Sequence, residues 1–252
     1  KQDASAPLAE IARHHRRLGA GLGIHAKEVL RTELAVLHDL ASSGASEPSA
    51  KWQARVLAMG ELMSTRLAAY WLESTGLRSR WVDARELLRS RTQPDDEPAL
   101  SAYLSAECGY APSTEIQRRL RSADVDVTIT QGFIARNLDD ETVLLGRGGS
   151  DTSAAYLASV LNAKRLEIWT DVPGMFTSDP RRAPTARLVP RLTYDEAAVL
   201  GSLGAKVLHP RCLPPVKASG IPLHIRWTRR PDVAGTIING HECAPAVRAV
   251  TA

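Results

Sequence analysis

The spacing of apolar residues changes near residue 125, and this change limits the folds open to the chain more than any other feature. Up to residue 90, apolar residues recur three and four positions apart, as they do on one face of an amphipathic helix. Beyond residue 125, short strand-like segments alternate with helical segments and with turns that contain glycine. This order predicts a mostly helical first part followed by an α/β part.

Strands are predicted where β-branched and aromatic residues cluster or alternate with polar ones. These segments are residues 125–130, 131–137, 141–145, 165–170, 222–227 and 235–240. Of these, 131–137 and 141–145 form a predicted hairpin, and PLHIRW (222–227) is a predicted edge strand. Thr193 and Glu196 have the spacing of a capping box, which predicts a helix from there through Leu203. The pattern of residues 90–120 favours no particular element.

Composition argues against a membrane-spanning protein and gives no support to a nucleic-acid partner. Hydrophobic residues make up 44% of the 252 positions, but the longest unbroken apolar run is six residues, Leu67 to Leu72. A transmembrane helix needs about 20. The net charge is +4, and the 26 arginines are scattered among acidic residues. We therefore expect a soluble, cytoplasmic protein that binds neither nucleic acid nor membrane.

The cysteines predict no disulfide frame and no zinc site. Cys108, Cys212 and Cys243 are odd in number, and none forms a Cys-x-x-Cys pair or lies at metal-ligand spacing from a histidine. We expect them to be reduced thiols, as in cytoplasmic proteins.

The third predicted helix carries a polar cluster beside its apolar stripe. Glu61, Ser64 and Thr65 lie at positions i, i+3 and i+4, so one carboxylate and two hydroxyls share a helix face. Spacing alone also fits an ordinary capping or solvent-facing cluster. Both interpretations stay open on this evidence.

A glycine-rich loop joins the predicted hairpin to the next predicted helix. Glycines allow the backbone to approach a ligand closely, and Ser150 or Asp151 is placed to cap the helix. A helix amino terminus attracts anionic groups because its free N–H donors and its dipole point at the ligand. A tight turn without a ligand fits the glycines equally well. Arg147 suits a carboxylate or phosphate, and Asp151 suits an ammonium group or a cation.

Other candidates follow the strand predicted at 165–170. Thr170 and Asp171 lie at its carboxyl end, where doubly wound sheets bind ligands. Two arginines follow in a proline-containing loop, and we interpret Arg182 as a solvated surface charge. His209 directly precedes a proline and is predicted to be a structural histidine.

Five segments together resemble the aspartate kinases of the amino-acid kinase family. They are GELMST (60–65), TQGFIA (130–135), LLGRGGSDTSAAYLA (144–158), IWTDVPGMFTSDPR (168–181) and GAKVLHP (204–210). The resemblance implies a three-layer αβα sandwich around an open, mostly parallel sheet. It implies ATP and Mg²⁺ as co-substrates and transfer of phosphate to the side-chain carboxylate of L-aspartate, giving 4-phospho-L-aspartate. That reaction opens the synthesis of lysine, threonine and methionine.

The resemblance also implies roles for individual residues. Glu61 would hold the α-ammonium group and Arg147 the α-carboxylate of the amino acid, with Arg147 and Asp151 as the catalytic residues. The residues implied in the amino-acid pocket are Glu61, Phe133, Arg147, Ser150 and Asp151. Those implied at the nucleotide are Gly148, Gly149, Thr170, Asp171, Phe176, Arg181 and Lys206. No residue is implied as a metal ligand. The family often has tyrosine where this chain has Phe176.

Three parts are expected from this likeness. Residues 1–120 would be the helical part of an amino-acid-binding lobe, 121–240 the hairpin and nucleotide-binding lobe, and 241–252 a linker. The family's opening strand, with its lysine-phenylalanine-glycine-glycine-threonine signature, has no counterpart here. We expect that segment upstream of Lys1, and a regulatory ACT domain or a second enzyme beyond the linker. A homodimer is also expected.

Two alternatives compete with an aspartate kinase. One is a kinase of the same fold that acts on glutamate, N-acetylglutamate, carbamate or UMP. The other is a non-catalytic regulatory protein or pseudokinase, because the signature lysine has no counterpart in this sequence.

Overall fold

Two units of the chain pack separately. The structure is a computed structural model that describes residues 5–42, 49–91, 98–121, 124–202 and 207–241. The first unit comprises Lys1–Gly109 and Arg118–Gly149, and the second comprises Tyr110–Gln117 and Ser150–Ala252.

Helices supply most of the first unit, as the spacing of its apolar residues predicts. They are α1 (Ser5–Gly21), α2 (Ala26–Val29), α3 (Arg31–Ser42), α4 (Ala50–Ser74) and α5 (Ala99–Leu104). The stripe predicted for α4 is buried at Met59, Met63 and Leu67, whereas its last member, Tyr70, is exposed. The residues between α3 and α4, 43–48, lie outside the described part of the chain.

Two short strand pairs complete the first unit. β1 (Ser79–Trp81) pairs in parallel with β2 (Val127–Ile129). β3 (Ile134–Arg136) and β4 (Thr142–Leu144) form the predicted antiparallel hairpin, with Ile134 opposite Leu144. Ile134 and Leu144 are buried in the same core as Met63 and Leu67 of α4. This shared core fixes α4 against the hairpin that leads into the glycine-rich loop.

The second unit contains a four-stranded sheet and three further helices. α6 (Thr114–Leu120) runs from the second unit into the first. The other elements are α7 (Gly149–Val160), α8 (Tyr194–Ser202), α9 (Leu213–Ala218), β5 (Leu166–Thr170), β6 (Arg191–Thr193), β7 (Leu223–Trp227) and β8 (Thr236–Asn239). The strand order is β5-β7-β8-β6, in which only the β7–β8 pairing is antiparallel. α7 covers this sheet through Ala155 and Ala158, which share a core with Leu166 and Ile168.

The predicted capping box is confirmed. The Thr193 backbone N–H donates to Glu196 Oε2 at 2.7 Å, and the Glu196 backbone N–H donates to Thr193 Oγ1 at 3.1 Å. These two bonds satisfy N–H groups that the first turn of a helix leaves without partners. The helix accordingly begins at Tyr194, while the predicted end at Leu203 lies outside the described residues.

The prediction of an edge strand at 222–227 is wrong. β7 lies in the interior of its sheet, between β5 and β8. Its alternating pattern distinguishes two faces rather than an edge: Leu223 and Ile225 are buried, whereas Arg226 lies over the ring of Trp169 at 5.3 Å. β6 was not predicted, because three residues directly before a capping box are too few to show a strand pattern.

The compact units divide the chain differently from the lobes expected from the resemblance, which stay a prediction. The sequence grouped the hairpin with the lobe that follows it, but β3 and β4 belong to the first unit. The physical reason is the burial of Ile134 and Leu144 against α4, which outweighs proximity along the chain. Which unit binds which ligand stays a prediction.

The α/β class is confirmed by the described elements. Three of their five strand pairings are parallel: β1–β2, β5–β7 and β6–β8. None of the described helices combines the length and hydropathy that crossing a membrane requires.

Candidate functional site

Glu61 lies in the middle of α4 and has a half-buried carboxylate. No hydrogen bond or ion pair joins that carboxylate to any residue in the described ranges. Removal from water penalises the charged form, and this raises the pKa of Glu61 above its usual value. A desolvated carboxylate that lacks a partner is a receptor for a cationic group.

Thr65 and Gln131 tie the Glu61 turn of α4 to the chain just before β3. Thr65 Oγ1 donates to the Glu61 carbonyl at 2.7 Å and accepts from Gln131 Nε2 at 2.8 Å. Ser64, the other hydroxyl of the cluster, is exposed and donates to the Glu61 carbonyl at 3.2 Å. Of the three residues in the cluster, Ser64 faces solvent as one interpretation of the spacing expected, whereas Glu61 and Thr65 are partly buried.

Phe133 directly precedes β3 and adopts an uncommon backbone conformation. Its φ of 70° lies in the left-handed region, which costs a bulky residue on the order of 1–3 kcal/mol. Its carbonyl accepts a hydrogen bond from the Leu145 N–H at 2.8 Å, next to the glycine-rich loop. Strain of this kind is found where surrounding structure holds a residue in a functional position.

Gly149 lies directly against Phe133. A methyl group at Gly149 would be 2.5 Å from Phe133 Cδ2 and 3.2 Å from Phe133 Cα, so a side chain would displace the ring. Gly148, one residue earlier, has a φ of 67°, which L side chains rarely adopt. Close approach explains Gly149, and backbone conformation explains Gly148.

Arg147 is exposed in the glycine-rich loop. Within the described part of the chain, its guanidinium forms no hydrogen bond and no ion pair. It belongs to the same unit as Glu61 and Phe133. Convergence of the Glu61 and Arg147 side chains on one ligand stays a prediction.

Ser150 and Asp151 begin the second unit, in the first turn of α7. Ser150 is exposed. Asp151 is half-buried, and its Oδ2 accepts a hydrogen bond from the His209 backbone N–H at 3.4 Å. Burial raises the pKa of Asp151, and the His209 N–H opposes that rise in part. His209 also caps a 3₁₀ turn by accepting from the Arg211 N–H at 3.3 Å, which fits its predicted structural role.

Thr170 and Asp171 lie at the carboxyl end of β5, as predicted. The Thr170 hydroxyl donates to Asp171 Oδ1 at 3.3 Å, and the Thr170 carbonyl accepts from the Thr228 N–H at 2.9 Å. Asp171 is exposed. Its carboxylate is thus accessible to a ligand at the end of the strand.

Phe176 and Arg181 lie on an excursion of the chain between β5 and β6. Phe176 is half-buried and forms a β-bridge with Leu188. Arg181 is exposed near the tip, where its backbone N–H donates to Asp179 Oδ1 at 2.9 Å. The guanidinium of Arg181 has no hydrogen bond or ion pair to the described residues, and the same holds for Arg182.

A threonine of the sheet joins the two ends of this excursion. Thr236 Oγ1 of β8 accepts from the Met175 N–H at 2.9 Å and donates to the Val189 carbonyl at 2.7 Å. Gly174 allows this contact, because a methyl group there would lie 2.5 Å from the same oxygen. The segment that carries Phe176 and Arg181 is therefore anchored to the sheet at both ends.

Two predicted features lie beyond this description. Lys206 is outside the described residues. In the described ranges, no three histidine, cysteine, aspartate or glutamate side chains are grouped so as to hold a metal ion. Sequence reasoning missed Gln131, because an uncharged amide at the start of a predicted strand gives no signal of its own.

Comparison with known proteins identifies the family. Residues 5–226 match the sequence model described as the amino acid kinase family. The chain belongs to this family. The resemblance inferred from the five motifs is therefore confirmed at the level of the family.

Similar sequences are aspartokinases. The chain is 37% identical over 232 residues to lysine-sensitive aspartokinase 3 of Escherichia coli (strain K12), covering 88% of this chain and 49% of the relative. It is 39% identical to a bifunctional aspartokinase/homoserine dehydrogenase of Haemophilus influenzae, covering 82% of this chain and 24% of the relative.

Comparison with solved structures points to the same family as the sequence comparisons. The structure is similar to E. coli aspartokinase III in complex with aspartate and ADP, with a TM-score of 0.77, 34% identity, and coverage of 88% of this chain and 48% of that one. This confirms the predicted amino-acid kinase fold. The chain spans about half the length of aspartokinase 3.

Proposed function

We propose that the protein transfers the γ-phosphoryl group of ATP to the side-chain carboxylate of L-aspartate. The observation that carries the proposal lies in the first unit. Glu61 presents a half-buried carboxylate and Arg147 a guanidinium, and neither is paired within the described residues. An α-amino acid has the matching ammonium and carboxylate groups. Aspartokinase III, with which this chain shares its fold, was solved with aspartate and ADP.

In this proposal the first unit selects the amino acid. Glu61 binds the α-ammonium group, since its desolvated carboxylate gains most from a cationic partner. Arg147 binds the α-carboxylate through its planar fork. Phe133 and Gly149, which are in contact, form a wall of the pocket. Ser150 and Asp151, at the start of α7, are assigned to the amino acid by resemblance alone.

Most of the proposed nucleotide contacts belong to the second unit, whereas Gly148 and Gly149 belong to the first. Thr170 and Asp171 flank the nucleotide at the carboxyl end of β5. Open parallel sheets bind their ligands at this end of the strands. Phe176 packs against the nucleotide and Arg181 reaches its phosphates from the excursion. Gly148 and Gly149 bring backbone close to the phosphates, and Lys206 is assigned to the nucleotide by resemblance alone.

The chemistry needs no general base. An aspartate side chain has a pKa of about 3.9, so near neutral pH it is already an ionised nucleophile. A carboxylate oxygen forms a bond to the γ-phosphorus as the bond from phosphorus to the bridging β–γ oxygen breaks, and ADP leaves with that electron pair. Arg147 and Asp151 then act by holding the reacting groups in line, and cationic side chains offset the charge on the transferring group.

Magnesium fits this arrangement as a companion of ATP. The described residues contain no ready-made cluster of metal ligands, and Mg²⁺ is commonly held by substrate phosphates with one or two carboxylates. Asp171 is an exposed carboxylate at the carboxyl end of β5 and could supply one such oxygen. When bound, Mg²⁺ neutralises phosphate charge during transfer.

One pair of variants tests the proposal. The protein at its full natural length is assayed for ADP release with L-aspartate, and with glutamate, N-acetylglutamate, carbamate and UMP as competitors. We expect turnover with aspartate and a fall of at least about 100-fold in kcat/KM for Arg147→Ala. Arg230→Ala is the control, because Arg230 is exposed and paired with Asp232.

Equal losses of kcat/KM in the two variants would show that Arg147 does not bind the amino acid. Nucleotide binding without turnover of any substrate would instead favour the pseudokinase alternative. A homodimer, an attached ACT domain or second enzyme, and a cytoplasmic location stay predictions.

A further inference from the structure

A buried amide links the two walls of the proposed amino-acid pocket. Gln131 is 1% exposed. Its Oε1 accepts from the Ala84 backbone N–H at 2.8 Å, and its Nε2 donates to Thr65 Oγ1 at 2.8 Å. The side chain therefore bridges the turn that follows β1 and the middle of α4.

The Thr65 hydroxyl is fully used by its partners. It accepts from Gln131 Nε2 at 2.8 Å and from Trp81 Nε1 at 3.1 Å, and it donates to the Glu61 carbonyl at 2.7 Å. A hydroxyl offers one donor and two acceptor positions, so no capacity remains. Its position is thereby fixed from three directions, and with it the helical turn that carries Glu61.

Gln131 fixes the other wall in the same way. It precedes Phe133 by two residues, and Phe133 is held in the left-handed region at a φ of 70°. The two hydrogen bonds of Gln131 hold the chain two residues before this strained position. The Gln131–Thr65 hydrogen bond is the polar contact that holds the chain leading to Phe133 at a set distance from the turn of Glu61.

We propose that Thr65 and Gln131 are positioning residues that set the span of the pocket and so favour aspartate over the longer glutamate. The inference rests on the proposed function, because it assumes that Glu61 and Phe133 contact the amino acid. Glutamate differs by one methylene, and a pocket of fixed length penalises it by misplacing its carboxylate relative to the γ-phosphorus. A pocket whose walls can shift loses that penalty.

The test separates selectivity from general loss of activity. Thr65→Val keeps the shape of the side chain but removes the hydroxyl, and Gln131→Asn shortens the amide so that it cannot reach both partners. In the full-length protein, we expect each variant to raise the KM for aspartate about 10-fold and to reduce the aspartate-to-glutamate ratio of kcat/KM about 10-fold. The KM for ATP stays within about twofold of wild type.

Two further variants exclude a merely structural effect. Thr65→Ser keeps the hydroxyl that Thr65→Val removes. We expect its aspartate-to-glutamate ratio of kcat/KM to be that of wild type. Gln117→Ala removes an amide of the second unit that donates to the Val160 carbonyl at 3.2 Å, and its ratio should equal that of wild type. Thermal unfolding confirms that each variant is folded, and Gln131→Asn carries the test if Thr65→Val is not.

The outcomes are distinct. If wild type phosphorylates aspartate but the folded variants keep its substrate ratio, the positioning role is wrong and the proposed function stands. A parallel rise in the KM for ATP would also overturn it, since the effect would then be general. If wild type does not phosphorylate aspartate, the proposed function fails and this inference fails with it.

Discussion

Glu61 and Phe133 of the first unit are held in place differently from Asp171 and Arg181 of the second. In the first unit, Glu61 lies beside a buried hydrogen-bond network and Phe133 is held in a strained conformation against Gly149. In the second, Asp171 and Arg181 are exposed, and the Arg181 guanidinium has no described partner. The first arrangement suits discrimination between similar small molecules, because its geometry is set before binding. The second suits a highly charged ligand, for which long-range attraction matters more than fit.

Loss of the Glu61 charge is the strongest test of this contrast. Glu61→Gln should lower kcat/KM for aspartate about 100-fold, because an ammonium group would face a neutral amide in a partly desolvated site. The KM for ATP should change little. The control is Glu73→Gln, an exposed glutamate of the same helix. A similar loss in both variants would mean that the charge of α4, rather than the position of Glu61, matters.

Crowding of the Phe133 ring by a side chain at position 149 should have the next largest effect on aspartate kinetics. Gly149→Ala places a methyl group 2.5 Å from Phe133 Cδ2, so the ring must move. We expect the KM for aspartate to rise about 10-fold. Steady-state kinetics with varied aspartate and saturating ATP measure it. Gly21→Ala adds a methyl group into open space at the end of α1 and should have no effect. Unchanged kinetics for Gly149→Ala would show that the ring position is unimportant.

A smaller effect is expected where a charge is exposed. Arg181→Ala should raise the KM for ATP about fivefold, because a solvated phosphate contact contributes about 1 kcal/mol or less. The KM for aspartate should stay constant. Arg182→Ala is the matched control, because Arg182 is the next residue and is also exposed. If the two variants behave alike, the excursion contributes only general positive charge.

The smallest effect concerns stability and pH. Because burial raises the pKa of Glu61, the folded protein holds this proton more tightly than the unfolded chain does. The stability that the group contributes is therefore present below its unfolded pKa and is lost as pH rises through the folded pKa. Glu61→Gln should thus stabilise the ligand-free protein at pH 7 by less than about 1 kcal/mol, and not at about pH 4. Urea unfolding at both values measures this, and an equal gain at both would contradict a charge effect.

Sequence reasoning succeeded where the signal is local. The spacing of Met59, Met63 and Leu67 predicted α4, and the Thr193–Glu196 pair predicted the start of α8. Both signals depend on residues within one or two helical turns, which is the range over which a sequence pattern has physical meaning. The motifs from 60 to 210 predicted the family for a similar reason, since each is a continuous stretch.

It failed where the structure depends on distant contacts. The interior place of β7 follows from β8, whose paired residues lie 11 to 15 positions further along the chain, and alternation alone carries no trace of that pairing. The hairpin joined the first unit because Ile134 and Leu144 meet α4 in its core. The role of Gln131 depends on Thr65, 66 positions away, and on Ala84, 47 positions away. No pattern near Gln131 encodes those distances.

Thr236 has a mechanical consequence for the proposed nucleotide contacts. Its hydroxyl joins the two ends of the chain that carries Arg181, at Met175 and at Val189. Backbone hydrogen bonds close the same base, since the Val189 N–H donates to the Met175 carbonyl at 2.8 Å and the Thr177 N–H donates to the Arg187 carbonyl at 2.9 Å. A residue of β8, far from Arg181 in the sequence, thus contributes to the rigidity of the arm on which that arginine lies.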